Sequence, residues 1–292
     1  MKRYKVVGAI YDYSVAFIVL VAVILCLLPM LNVLATSLSS DHAIRSNMVT
    51  IFPVEITFES YIYVFQDPTM IRSMLITVLV TVVYTCLGMF LTVLAAYPLT
   101  KKWLPGRNIL LFVFLFTLYF GGGDIANYLL MKSFGMLNTL WSLILPPALS
   151  IFNMIIMKSF FNTIPESLME SAHIDGASEM RVLIQIVLPL SLPVIASLSL
   201  YYAVAKWNSF QDALYFINDS SLFPLQLKLY NIVQSISSPE IQIQEGSTGT
   251  TNLTPENLTA ASVMFATIPI VCVYPWLQKY FIKGLTIGSI KG

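Results

Sequence analysis

Hydrophobic positions in this chain come in long unbroken blocks rather than in alternating or 3.6-period stripes. Ser14 to Thr36 holds no charge, and Ile71 to Pro98 holds none after Arg72. The second block is rich in β-branched residues, but its length selects a helix over a buried strand. Further blocks cover Asn108 onward, Asn138 to Phe161, Leu190 to Ser209 and Leu258 to Phe281. Runs of about 20 apolar residues match the hydrocarbon thickness of a bilayer. The pattern predicts an all-α polytopic membrane protein with six spans, at about 14–36, 71–98, 108–130, 138–161, 190–209 and 258–281, in one transmembrane domain (14–292) after a short basic start (1–13).

Breakers refine this outline. Gly121-Gly122-Gly123-Asp124 interrupts the third block, and Ile125 to Leu137, which contains Lys132, has the composition of a short interfacial helix. Pro146-Pro147 falls near the start of the fourth block. Gly88 and Ala95-Ala96 would let a neighbouring helix approach closely. Ser37 to Met70 and Phe210 to Asn257 read as polar loops, the second holding EGSTGTTN. The first block is longer than the roughly 7–15 residues of a signal-peptide core, so an uncleaved anchor is expected.

Composition agrees. Hydrophobic residues make up 57% and charged residues 11%, against about 25% charged in an ordinary soluble domain. The net charge of +1 says nothing about nucleic acid, but no basic cluster is large enough to track phosphates, so no nucleic-acid partner is expected. Cys26, Cys86 and Cys272 fall inside blocks and are expected as small core residues, without metal or disulfide spacing. No phosphate-binding G-x-x-x-x-G-K-[ST] loop occurs, and no lysine follows Gly121-Gly122-Gly123, so ATP hydrolysis is not expected in this chain. With six spans, eleven Lys and Arg fall on the side of the termini and of residues 162–189, and five on the other or its helix ends. Positive-inside counting makes both termini cytoplasmic.

One long stretch predicts helix but cannot span. Pro165 to Pro189 carries Glu166, Glu170, Asp175, Glu179 and Arg181, and each charge at a bilayer centre costs roughly 2.5–3.5 kcal/mol on insertion scales. Pro165 suits a helix start and Gly176 a helix end, giving about ten helical residues, a break at Asp175-Gly176 and a second run ending at Pro189. From pattern alone, a surface amphipathic hairpin lying on the membrane is one of two about equally weighted readings.

Glu170-Ser171-Ala172-His173-Ile174-Asp175-Gly176-Ala177, followed by Ile186-Val187-Leu188-Pro189 and Pro193, resembles the EAA loop of ATP-binding-cassette importer permeases, with Ser171 where alanine is usual. The resemblance implies the type I importer permease fold, with 162–189 as a cytoplasmic coupling loop docking on the ATPase. Glu170 and Asp175 would contact it, Ser171, Ala172, Gly176 and Ala177 would permit close approach, and Leu188-Pro189 would set the entry of the fifth span. The tail Lys283 to Gly292, with Gly288, Lys291 and Gly292, is similar to that of maltose-type carbohydrate permeases and would reach the ATPase dimer. Lys206-Trp207-Asn208-x-Phe210 and Pro224-Leu225-Gln226 are similar to the same branch. Phe120-Gly121-Gly122 and Leu137-Asn138-Thr139-Leu140-Trp141 resemble its complex-oligosaccharide, lipoprotein-linked subgroup. The chain departs from that pattern at Gly123-Asp124-Ile125-Ala126, where an apolar stretch ending in proline is expected.

The implied machine pairs this chain with a second homologous permease, an ATPase dimer that binds ATP and Mg, and an extracytoplasmic sugar-binding protein, lipid-anchored or periplasmic. It would import an oligosaccharide across a bacterial cytoplasmic membrane, with no cofactor held by this chain. Sugar sites need amides and aromatic faces. Asn153, Tyr201, Trp207, Asn208 and Gln211 are the substrate-pathway candidates; Tyr201 and Trp207 are equally suited to an interfacial aromatic belt, and Asn153 to an interhelical hydrogen bond. Lys206 is expected to snorkel to the surface. A secondary transporter would need paired charges at mid-membrane, and a membrane enzyme a polar catalytic cluster; the spans carry neither. Import of a non-sugar solute stays open.

Overall fold

The computed structural model describes residues 2–237 and 254–288, with side chains over 11–234 and 254–273. The described residues are helical and contain no strand. In order, the helices are α1 (Lys2–Ser37), α2 (Asp41–Arg45), α3 (Glu59–Gln66), α4 (Pro68–Ala96), α5 (Arg107–Tyr119), α6 (Gly123–Ser133), α7 (Trp141–Ile144), α8 (Ile151–Phe161), α9 (Glu166–Ile174) and α10 (Glu179–Val182). A π-helical turn over Leu183–Val187 leads into α11 (Leu188–Leu190), followed by α12 (Leu192–Trp207), α13 (Gln211–Phe216), α14 (Leu225–Ser237) and α15 (Pro255–Gly288).

Among the described residues, three stretches are long and apolar enough to cross a bilayer: Tyr11–Ser37, Pro68–Thr100 and Pro255–Val273. They lie at the first, second and sixth expected spans. The basic start is not a separate segment, because α1 begins at Lys2 and runs straight into the first span. The third expected span, one run over 108–130, is broken: α5 ends at Tyr119 and α6 leaves at 111° to it. The glycine run is the cause, since Gly123 takes φ +79°, a conformation strained for any residue with a Cβ. The fourth, expected over 138–161, shrinks to α8, because Pro146 and Pro147 supply no N–H to continue a helix from α7. The fifth bends by 81° between α11 and α12, so its straight part starts at Leu192 rather than residue 190. The stretches expected as loops at 37–70 and 210–257 hold α2 and α3, and α13 and α14. Their apolar residues find a core: Val64, Ala213, Phe216, Leu225 and Leu227 are buried.

The chain divides into two compact units, one from residues 1–70 and 229–268, the other from 71–228 and 269–292. In the first, the end of α1 is tied down by side chains. Ser39 Oγ donates to Ala35 O at 2.6 Å and accepts from Val54 N at 3.0 Å. Asn257 Nδ2 donates to Ser39 O at 3.0 Å, and Phe65 meets Phe265 edge-on at 5.2 Å. Asp41 accepts from Arg45 Nε at 2.6 Å and from the Thr254 backbone N–H. Burial pushes the Asp41 carboxyl up, but these hydrogen bonds and the guanidinium charge outweigh it and hold it below its ordinary 3.8. The tie therefore contributes fully above that value and is lost as pH falls through the lowered one. Most of α1 from Tyr11 onward is exposed within the chain, as suits a helix covered by lipid or another subunit.

The second unit is built around Tyr202 on α12. Its hydroxyl hydrogen-bonds Thr92 Oγ1 on α4 at 2.7 Å and accepts the Ser150 backbone N–H at 2.9 Å. Tyr84 crosses its ring edge-on at 5.5 Å and donates to Pro147 O at 3.1 Å. The backbone freed by the Pro146-Pro147 break thus finds partners inside the protein. Thr77 Oγ1 does the same for the start of α14, accepting Leu225 N–H at 2.7 Å. Asn138, at φ +57°, accepts the N–H groups of Asn218 and Asp219 at 2.6 and 3.1 Å. The three cysteines expected in the core are instead exposed on helix surfaces, where the sulfur faces whatever surrounds the chain.

Gly88 admits Tyr202 against α4. A Cβ there would stand 2.7 Å from Tyr202 Cε1 and 2.9 Å from Ala148 O. Gly88→Ala should therefore cost about 1–3 kcal/mol by overpacking, seen as a lower thermal midpoint of the detergent-purified protein. A midpoint equal to wild type would show that Tyr202 is free to move away.

Candidate functional site

The charged stretch folds as two short helices joined by a glycine turn. Pro165, with extended ψ of 127°, precedes α9 rather than opening it. Beyond Ile174 the chain closes in a Schellman turn: Gly176 N–H donates to His173 O at 3.0 Å and Ala177 N–H to Ala172 O at 2.9 Å. Gly176 sits at φ +81°, which that turn requires. Ser178 then caps α10, accepting the Arg181 N–H at 3.4 Å.

Of the residues assigned to coupling, Glu170, Ser171, Asp175, Gly176 and Pro189 are exposed, and Ala172, Ala177 and Leu188 are half-buried. Six of these eight, Glu170, Ser171, Ala172, Asp175, Gly176 and Ala177, gather on α9 and its turn; Leu188 and Pro189 lie beyond the π turn. Ile174 is 87% exposed at the tip of α9, flanked by exposed Leu168 and Met180. Gly288 ends α15, while Lys291 and Gly292 lie outside the described residues.

A clasp that the sequence did not reveal holds this segment to the end of α4. Glu179 Oε2 accepts from Tyr97 OH at 2.6 Å and from Lys101 Nζ at 2.9 Å, and Glu179 Oε1 lies 3.4 Å from His173 Nε2. Lys101 Nζ also sits 4.7 Å above the Tyr97 ring, which meets Phe161 edge-on at 6.3 Å. Glu179 thus ties together α9, α10 and the turn after α4. The only signal in the sequence was opposite charge: Lys101 and Lys102 in one loop, acids in another on the same side. Between them opens a cleft of about 750 Å³ lined by Lys101, Lys102, Arg107, Glu166, Glu170 and His173, among others.

The five substrate-pathway candidates do not converge. Gln211 lines a cleft of about 400 Å³ with Asp124, Asn127 and Tyr215. Asn153 and Trp207 are buried, Tyr201 is half exposed, and Asn208 turns its Nδ2 back to Val204 O at 2.9 Å. Lys206 corrects its expectation. It does not snorkel; it is buried, donates to Asp212 Oδ2 at 3.1 Å and lies 5.3 Å over the Tyr84 ring. Asp212, six residues on, brings the counter-ion inward, so the ammonium need not reach water.

The helical architecture, with a charged turn between apolar helices, is that of an importer permease. The chain belongs to the family described as binding-protein-dependent transport system inner membrane component, whose profile matches residues 68–287. It is 45% identical over 267 residues to protein LplC of Bacillus subtilis (strain 168), covering 91% of this chain and 90% of that one. It is 40% identical over 284 residues to the polygalacturonan/rhamnogalacturonan transport system permease protein YtcP of the same organism, covering 97% and 99%. Its fold is similar to a chain of a bacterial ABC transporter involved in the import of the acidic polysaccharide alginate, with a TM-score of 0.86, 28% identity, and coverage of 94% and 97%.

Removing the shared carboxylate should loosen the coupling segment. Glu179→Ala leaves Lys101 without its acid and Tyr97 without its acceptor, a loss of about 1 kcal/mol for a partly exposed site, or roughly fivefold in local opening. Tryptic cleavage after Arg181 in membrane vesicles should accelerate by that factor, and Glu179→Gln, which keeps an acceptor, should fall between. Unchanged cleavage would show that the clasp does not restrain the segment.

Proposed function

We propose that this chain is one of two permease subunits of an ABC importer, and that it carries an oligosaccharide into the cytoplasm. The observation that carries the reading is α9: a charged helix with an open Ile174, ended by a Schellman turn and clasped to α4, in a chain of the binding-protein-dependent permease family. In this reading α9 enters a groove of the ATPase with Glu170 and Asp175 at its rim and Ile174 in its floor. The half-buried Ala172 and Ala177 let the two backbones approach. The clasp through Glu179 passes displacement of α9 to α4, and the bend at Ser191 passes it to α12.

Both termini and the coupling segment are then cytoplasmic, in agreement with the excess of Lys and Arg on that side. ATP and Mg belong to the ATPase pair; this chain supplies differential contacts to two conformations, which is all that coupling requires. The names of the relatives support a sugar cargo: polygalacturonan/rhamnogalacturonan for one, alginate for another, arabinooligosaccharides and trehalose/maltose for more distant ones. An alginate transporter chain of 14% identity and TM-score 0.58 was solved in complex with a pentasaccharide-bound periplasmic protein, and a like binding protein is the proposed donor here.

The test is ATP hydrolysis by the assembled transporter, with sugar-loaded binding protein added. Gly176→Leu forces a branched side chain into φ +81° and should abolish stimulation or assembly; Glu170→Ala should reduce stimulation severalfold while basal membrane insertion stays normal. Full stimulation in both variants would remove the coupling role from α9. Stimulation by an amino acid or ion instead of a sugar would overturn the cargo.

A further inference from the structure

The coupling segment makes no use of the cleft at Gln211. Its walls are α6, the Pro146-Pro147 link and α13, and its volume of about 400 Å³ falls within the roughly 300–1,000 Å³ of small-ligand sites. Asp124 and Asn127 stand about one turn apart on α6, as do Gln211 and Tyr215 on α13, so each pair shares a helix face. Among the described residues, no side-chain hydrogen bond or ion pair within the chain occupies Asp124, Asn127 or Gln211. The rings of Tyr215 and Phe216, 6.5 Å apart, give the same cleft an apolar wall. Amides and a carboxylate pair hydroxyl groups, and an aromatic face covers the C–H side of a sugar ring.

Tyr84 fastens two of these walls without lining the cleft itself. Its hydroxyl donates to Pro147 O at 3.1 Å, and Lys206 Nζ, 5.3 Å over its ring, donates to Asp212 Oδ2 at 3.1 Å. Asn138 N–H holds the end of α13 by donating to Phe216 O at 2.9 Å. Polar groups held in this way are in place before a ligand arrives. Charge then narrows the ligand. Asp212 is balanced by Lys206, which is not itself part of the lining, and among the described residues no lysine, arginine or histidine lines the cleft. An acidic sugar would bring its carboxylate beside Asp124 with no cation in the cleft to offset the repulsion. A neutral sugar meets no such penalty, and its hydroxyls donate to the carboxylate in charge-assisted bonds.

We propose that Asp124, Asn127, Gln211 and Tyr215 form a subsite for an uncharged glycosyl unit, and that Asp124 turns acidic sugars away. The subsite rests on the importer reading above in taking that unit as part of the cargo. It narrows the cargo to an oligosaccharide with at least one neutral residue, bound by this chain and not only by its partner permease.

The experiment is a saturation-transfer NMR titration of the assembled transporter in nanodiscs, without ATP or binding protein. The probes are pairs of trisaccharides in gluco, galacto and manno forms, the members of a pair differing only in carrying primary alcohols or carboxylates. Wild type should bind at least one neutral member about tenfold more tightly than its acidic twin. Asp124→Asn, which keeps an acceptor, should close that gap to about twofold, while Asn127→Ala and Gln211→Ala should weaken both members about fivefold, the effect of one lost hydrogen bond. An acidic twin bound as tightly as the neutral one, or no neutral probe bound at all, overturns the subsite. So does a gap that Asp124→Asn leaves unchanged. Release of the second permease by Asp124→Asn would assign the residue to a subunit contact and equally overturn the subsite. ATP hydrolysis stimulated by sugar-loaded binding protein is read on the same samples. Lost neutral preference with intact stimulation sinks the subsite alone; neutral binding without stimulation by any loaded binding protein sinks the importer reading and leaves a sugar site without a cargo role.

Discussion

In hydrocarbon every backbone N–H and C=O must find its partner inside the protein, and this constraint governs where the chain can bend. Several of the interruptions are matched by side chains that take up freed backbone groups. Pro146-Pro147 breaks the approach to α8, and Tyr202 and Tyr84 answer with hydroxyls at Ser150 N and Pro147 O. The start of α14 is held by Thr77 and the turn after α13 by Asn138. These polar groups also fix α12 against α4, and Gly88 makes that approach sterically possible. A break that is fully satisfied is rigid, so the bends fix the shape of the second unit.

The same logic extends to the membrane surface with charges in place of hydroxyls. Glu179 receives a phenol, an ammonium and an imidazole, gathering three segments at one carboxylate. The turn at Gly176 leaves no room for slack, since both of its hydrogen bonds close on α9 itself. What projects beyond is short, exposed and apolar at its tip. A rigid lever with a greasy end fits a task of passing movement between subunits better than one of binding a small molecule. Of the pathway candidates, Gln211 lines the cleft with Asp124 and Asn127, and Asn153, Trp207 and Asn208 do not.

How much of this was legible depends on the range of the cause. The apolar blocks, the impossibility of burying Pro165–Pro189 and the αL role of Gly176 are local properties, readable from composition and one residue's stereochemistry. Span lengths were less so: a glycine run or proline pair announces a break, but not that α6 would leave at 111°. Contacts between distant segments were not legible at all. Glu179 was visible as a charge, yet nothing near it names Tyr97, eighty-two positions away. Lys206 departs from its expectation for the converse reason. A lysine at a helix end ordinarily reaches water, and only the return of the chain through α13 brings Asp212 beneath it.

The π turn over Leu183–Val187 carries a consequence for geometry. Such a turn holds one residue more than α-helix allows, and one residue is worth about 100° of rotation about the axis. The connector between the coupling turn and α12 is therefore wound one step looser than its neighbours. Tightening that single turn would swing α10 around the helix axis with no break in the chain, a rotary degree of freedom lodged between α10 and α12.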